Sequence, residues 1–146
     1  MYFVDRSKIE EILLYMEQIL AEISDQSNRS FVEKMALERM THVLIESIID
    51  VGNMMIDGFI MRDPGSYEDI IDILVDERVI PEQESDMYKE IIGLRKMLVT
   101  NYANVDHSEL EKSLNNHKQM LDSFSTHIRS YLENELGVAN AFSNNN

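Results

Sequence analysis

Between Ile91 and Asp106 the sequence reads IIGLRKMLVTNYANVD, and the side chains best suited to chemistry lie in this stretch. A helix turns about 100° per residue, so Arg95 and Tyr102, seven apart, fall within about 20° of each other, with Val99 between them and Tyr88 and Ile92 on the same stripe. Arg95 and the adjacent Lys96 carry two positive charges. The same spacing also fits an amphipathic helix whose arginine snorkels beside a partly buried tyrosine. Asp50 and Asn53, three apart on an earlier helix, share one face. They could order Arg95 through a salt bridge, or simply form a solvated face.

Other chemistries find less support. His42 and His117 lie on apolar stripes and read as satisfied core or seam residues, whereas His107 precedes a helix cap and His127 lies off the seam, so both read as solvated surface. Acids are plentiful, but no pair of helices carries the Glu with Glu-x-x-His pattern of a di-iron bundle. No metal site and no cofactor are expected. Neither a Ser/His/Asp set nor a Gly-rich phosphate loop is present. The absence of cysteine removes disulfides, Fe–S clusters, thiolate zinc sites and cysteine nucleophiles together.

The elements that must position these residues are helical. Only five Gly and two Pro punctuate 146 residues, and apolar spacings of 3 and 4 run almost throughout. Ser7 with Glu10 fits a capping box that opens a first helix on the stripe Ile9, Ile12, Leu13, Met16, Ile19, Leu20 and Ile23, ending in the polar SDQSNR stretch. Ser30 with Glu33 opens a long second helix to about Gly58. Its two stripes, Phe31, Met35, His42, Ile45, Ile49, Gly52, Ile56 and Leu37, Leu44, Ile48, Val51, Met55, place it centrally, with Gly52 permitting a close approach. Ser66 caps a short third helix with Tyr67, Ile70, Ile71 and Leu74 inward. Pro81 enters the first turn of a fourth helix. Ser108 with Glu111 opens a fifth, whose residues Leu110, Leu114, His117, Leu121, Phe124, Ile128 and Tyr131 form a heptad seam that packs inside the monomer or against a second copy. The expected fold is an all-α antiparallel helical bundle of four main helices and a short one. It forms a single domain over 1–146, with a frayed tail at 138–146.

Charge and hydropathy bound the setting. With 13 Lys+Arg against 27 Asp+Glu the net charge is −14. Such a surface repels phosphate backbones in general, so any nucleic-acid contact must be local. The start MYFVDRSKIEEI carries charge where a signal peptide needs an apolar run, and no run approaches the ~20 apolar residues of a membrane span. A cytoplasmic protein without membrane contact is expected.

The run PGSYEDIIDILVDERVIPEQESDMYKEIIGLRKMLVTNYANVD resembles the core of the HepT-like family. These are small HEPN-superfamily proteins often paired with a minimal nucleotidyltransferase as toxin and antitoxin, and the whole chain fits that pattern. The resemblance implies an all-helical, usually dimeric protein whose active members are metal-independent ribonucleases. The family signature is Arg, four to six residues, His, any residue, Tyr. Arg95 and Tyr102 match it, with Leu98 and Val99 as the apolar filling. Lys96 stands where Asn or Asp is common, and Thr100 stands where the catalytic His belongs. Threonine does not titrate near neutral pH, and general acid–base catalysis is worth roughly 10²- to 10⁴-fold, so ordinary cleavage should be weakened. His107, or His42 on the long second helix, could substitute only if the fold brings it to the site.

On an ideal helix position 100 lies about 140° from Arg95, so the signature converges only where the helix ends near Thr100. Asn101, Asn104 and Asp106 supply that exit. By resemblance, Arg95 and Tyr102 of two subunits face a shared groove in a homodimer, where the pair of Arg95 residues plus Lys96 gives a local basic spot that could hold a phosphate. By the same resemblance, Tyr102 is the candidate for AMP modification by a partner nucleotidyltransferase. Two functions follow. One is a degenerate or specialised RNA-cleaving or RNA-binding protein. The other is a non-catalytic partner, substrate-binding subunit or AMP-transfer target of a minimal nucleotidyltransferase. A purely structural dimer, in which Arg95 and Tyr102 only pack, remains the third reading.

Overall fold

Short polar side chains fix where most of the helices begin, because the first N–H groups of a helix lack partners inside it. In the computed structural model, which describes residues 3–23, 26 and 28–144 with side chains through 137, Asp5 accepts the Lys8 N–H at 3.0 Å and starts α1 (Arg6–Glu22). Ser30 and Glu33 form the reciprocal capping box that starts α2 (Phe31–Gly58). Ser66 accepts the Asp69 N–H at 3.1 Å and starts α3 (Tyr67–Asp76). Asp106 accepts the Glu109 N–H at 3.1 Å and starts α6 (His107–Asn116). The expected caps Ser7 and Ser108 are therefore displaced. In each case an aspartate two residues upstream supplies a charged acceptor that the helix dipole favours, which places the serine inside the first turn.

Two expected helices are broken. Pro81 caps a 3-10 turn, Glu82–Glu84, ahead of α4 (Ser85–Gly93), rather than joining the first α-helical turn. At Leu94 the ladder slips to a bond from its N–H to the Ile91 carbonyl, and α5 (Arg95–Thr100) starts afresh. Gly93, a weak helix former, marks the place. The fifth helix likewise divides at His117 into α6 and α7 (Lys118–Asn144). Among the described residues there are seven α-helices and no strand, so the all-α class holds with more segments than the periodicity indicates. The expected fraying at 138–146 falls on residues whose side chains, and at 145–146 the backbone, lie outside the described part.

The core forms around α2, which packs against α1, α3, α5 and α6. The Phe3 N–H donates to the Gly58 carbonyl at 3.2 Å, tying the entry to α1 to the end of α2, so these two helices run antiparallel. From Leu37 onward both α2 stripes are buried except at His42, which is partly exposed rather than a core residue, and Phe31 and Met35 are exposed. Leu110, Leu114, Leu121, Phe124 and Ile128 are buried within the chain, so the heptad seam packs inside the monomer. Tyr88 and Phe124 meet edge-on with ring centres 5.7 Å apart, and Arg129 on α7 reaches Glu10 and Glu17 on α1. Tyr67 is 47% exposed rather than inward.

Two backbone positions carry measurable consequences. A Cβ at Gly52 would meet Ile70 Cγ2 at 2.5 Å, the expected close approach of α2 and α3. Alanine would gain about 1 kcal/mol of helix propensity, but overpacking against a stiff β-branched side chain costs about 1–3 kcal/mol. Gly52→Ala is therefore expected to lower the melting temperature by a few degrees. Ile60 lies just past α2 with φ 56° and is 73% exposed, a left-handed conformation that costs an L-residue about 1–2 kcal/mol. Ile60→Gly should raise the melting temperature, and both effects are read by thermal denaturation.

Candidate functional site

Leu94 and Leu98 are buried, and they pin the short α5 against α2. Arg95, the first residue of α5, is thereby held alongside the polar edge of α2, where its Nε donates to Glu46 Oε1 at 2.7 Å. Beneath it, the Tyr67 ring at the start of α3 has its centre 4.9 Å from the guanidinium carbon. A cation over an aromatic face is attracted by the ring quadrupole, and the planar guanidinium stacks well. The hydrogen bond to Glu46 raises the Arg95 pKa above its ordinary value against a smaller opposing effect of burial. Its charge is thus fixed at every accessible pH.

Glu46 Oε1 also lies 3.4 Å from His42 Nε2, one turn earlier on α2. Imidazole, carboxylate and guanidinium therefore gather around one oxygen atom. Asp50 is one turn beyond Glu46, with its carboxyl pushed up from the usual range by partial burial and then by the neighbouring Glu46 charge. The expected salt bridge from Asp50 to Arg95 is not formed, because the break at Leu94 sets the start of α5 against the level of Glu46. Asn53, half-buried a further turn along, is not brought to Arg95 either.

Arg95, Lys96 and Thr100 line one open cavity of about 490 Å³ with Ser66, Tyr67, Ile92 and Val99. The helix ends at Thr100 with Asn101 as its cap, the exit that convergence requires. The Thr100 hydroxyl donates back to the Lys96 carbonyl, so its proton is already engaged. Tyr102 sits in a 3-10 turn, Tyr102–Asn104, is 73% exposed and does not line the cavity. The single stripe of Tyr88, Ile92, Arg95 and Tyr102 does not form. Tyr88 and Ile92 are core residues of α4, whereas Arg95 opens a separate helix.

Glu46 and Tyr67 escape sequence reasoning. The signal for Glu46 is the i, i+4 ladder of His42, Glu46 and Asp50 along α2. The other histidines are not free surface groups. His107 meets Glu38 at 2.8 Å, His127 meets Glu84 at 3.3 Å, and His117 meets Glu90, each bridging separate elements. The His117 Nδ1 is buried with no hydrogen-bond partner, so this residue is only half satisfied. Among the described residues no group of three or more His, Asp or Glu side chains is arranged to hold a metal ion, and no helix is long and apolar enough to cross a membrane.

Comparison with known proteins identifies the family and the fold. A family model described as "Ribonuclease HepT-like" matches residues 9–128. A Bacillus subtilis (strain 168) protein named "Putative RNase YutE" is 53% identical over 143 residues, which is 97% of this chain and 99% of that protein. The solved structure of YutE, described as a cytosolic protein of unknown function, matches with a TM-score of 0.90 at 54% identity, covering 94% of this chain and 96% of that one. The fold is shared at lower identity with a mutant of the toxin–antitoxin MntA–HpeT (TM-score 0.74, 18% identity, 84% and 98% of the two chains). It is also shared with a tri-AMPylated Shewanella oneidensis HEPN toxin in complex with MNT antitoxin (TM-score 0.66, 19% identity, 85% and 92%).

The support beneath Arg95 is itself braced. Arg62 holds Asp69 through two hydrogen bonds of 2.8 and 2.9 Å, and Asp69 also accepts the Gly65 N–H at 2.8 Å, fixing the first turn of α3 that carries Tyr67. The Arg62 bond, then the Gly65 bond, hold the Asp69 carboxyl at about 2, below its ordinary 3.8. A carboxyl lowered on folding stabilises above its unfolded pKa and loses that contribution as pH falls through its folded value. The melting-temperature gap between wild type and Asp69→Asn should be complete at pH 5 and close between about pH 4 and pH 2.

Proposed function

The chain belongs to the HepT-like ribonuclease family, and from that premise we propose that it binds and cleaves RNA without a metal ion, using Arg95 to hold the scissile phosphate. The observation that carries this reading is Arg95 itself. It occupies the signature position, is steadied by Glu46 and Tyr67, and shares an open cavity with Lys96 and Thr100. The bond to Glu46 engages Nε, so the paired terminal nitrogens suit two phosphate oxygens. Lys96 adds a second cation. On a protein of net charge −14 these contacts are local, and affinity for RNA falls as salt rises. Two copies form a homodimer in the cytoplasm, with their Arg95 and Tyr102 residues facing a common groove. Thr100 cannot shuttle a proton, which sets the rate below that of relatives with the signature His.

A second reading is favoured by one observation, the 73% exposure of Tyr102 beside the site. There Tyr102 is the acceptor for AMP from a minimal nucleotidyltransferase, its phenol oxygen displacing pyrophosphate from ATP, and the protein is that enzyme's partner. One similar fold belongs to a tri-AMPylated toxin in complex with MNT antitoxin, which supports testing this reading here.

The deciding experiment follows cleavage of labelled single-stranded RNA, with no added metal, by wild type, Arg95→Ala and Thr100→His. Wild type is expected to cut slowly, Arg95→Ala at least about 100-fold more slowly, and Thr100→His faster, within the roughly 10²- to 10⁴-fold that a proton-transfer group supplies. Equal cleavage by wild type and a folded Arg95→Ala would overturn the role of Arg95. If Thr100→His alone cuts, the partner reading is the correct one.

A further inference from the structure

Cleaving RNA with its own 2′-hydroxyl needs three services: a base for the 2′ proton, an acid for the departing 5′-oxygen, and positive charge on the phosphate between them. Arg95 supplies the third. Thr100 supplies neither of the others, since its hydroxyl does not titrate near neutral pH and already donates to the Lys96 carbonyl. The missing groups must then be found elsewhere in the fold.

Imidazole is the side chain whose ordinary titration lies closest to neutral, which leaves four histidines to consider. His107, His117 and His127 are held by Glu38, Glu90 and Glu84, carboxylates that Arg95 does not touch. His42 alone shares a partner atom with Arg95. Its Nε2 is 3.4 Å from the same Glu46 Oε1 that accepts from Arg95 Nε at 2.7 Å, so the two nitrogens lie no farther apart than those distances combined. Its side chain is 31% exposed, and it approaches Arg95 from the α2 side, outside the lining of the cavity that holds Arg95 and Thr100.

We infer that His42 and Glu46 are the acid and base of this site, doing from the central helix α2 what the signature position 100 cannot. The inference rests on the RNA-cleaving reading above. A ribose 2′-oxygen attacks the adjacent phosphorus while Glu46 takes its proton. The P–O5′ bond breaks, and protonated His42 gives its proton to the leaving 5′-oxygen. The products are a 2′,3′-cyclic phosphate and a 5′-hydroxyl, and exchange with water returns one proton to His42 and removes one from Glu46. A carboxylate beside the phosphate opposes binding of the ground state. On taking the proton it becomes neutral as the phosphorus centre gains charge, so the arrangement favours the transition state over the substrate.

The test uses a labelled single-stranded RNA and the same RNA with sulfur replacing one bridging 5′-oxygen, a leaving group that departs without a proton. Wild type, His42→Gln, Glu46→Gln and His127→Gln are compared with no added metal, with circular dichroism confirming the fold and His42→Asn as the alternative where His42→Gln folds poorly. His42→Gln should lose about 10²- to 10⁴-fold on the oxygen linkage, stay within about tenfold of wild type on the sulfur linkage, and recover partly in imidazole buffer. Glu46→Gln should lose activity on both, and His127→Gln should match wild type. A His42 variant that cuts the oxygen linkage at the wild-type rate while Arg95→Ala does not cut would overturn the inference and leave the RNA-cleaving reading standing. Equal loss on both linkages by His42→Gln would overturn its role as acid. No cleavage by wild type would overturn the RNA-cleaving reading, and the inference with it.

Discussion

The hydrogen bond from Arg95 Nε to Glu46 Oε1 joins the six-residue α5 to the 28-residue α2, and the geometry of the site is arranged around it. Both side chains are partly exposed, so as an ion pair it is worth no more than about 1 kcal/mol of stability. Its effect lies in orientation. One carboxylate oxygen sets the guanidinium plane and meets the His42 ring, while the Tyr67 face closes the guanidinium from the other side. Side chains from α2, α3 and α5 thus meet around the Arg95 guanidinium.

Helix class, the central place of α2, the cap at Ser30, the tight contact at Gly52 and the end of the helix at Thr100 were all legible in the sequence, because each is set by local spacing or a local hydrogen bond. The breaks at Leu94 and His117 were not. Apolar periodicity continues straight through both, and neither the slip at Leu94 nor the turn at His117 alters the residue pattern. The aspartate caps were missed because two acceptors compete at each start and the Ser-x-x-Glu pattern hides the upstream charge. Arg95 and Thr100 were identified and do share a cavity. Glu46 and Tyr67, which hold Arg95 in place, depend on which level of α2 faces α5, and helical spacing does not encode that register.

Charge explains why so much of this site is built from pairs. With 27 acidic side chains against 13 basic ones, the four histidines and Arg29, Arg62, Arg95 and Arg129 end beside carboxylates. A phosphate approaching such a surface meets repulsion nearly everywhere. Arg95 and Lys96 set two cations together on one cavity rim against that background. Attraction for an anion is therefore local and falls as salt rises.

The six-residue length of α5 has its own consequence. A helix of fewer than two turns does not sustain itself in water, because nucleating it fixes more backbone than its few hydrogen bonds return. The order of α5 is borrowed from Leu94 and Leu98 seated against the core and from the anchor to Glu46. Regions with so few internal bonds open at a fraction of the global unfolding free energy. The segment carrying Arg95 and Thr100 can therefore detach and re-seat while the bundle stays folded, giving the site a breathing motion independent of the scaffold that carries it.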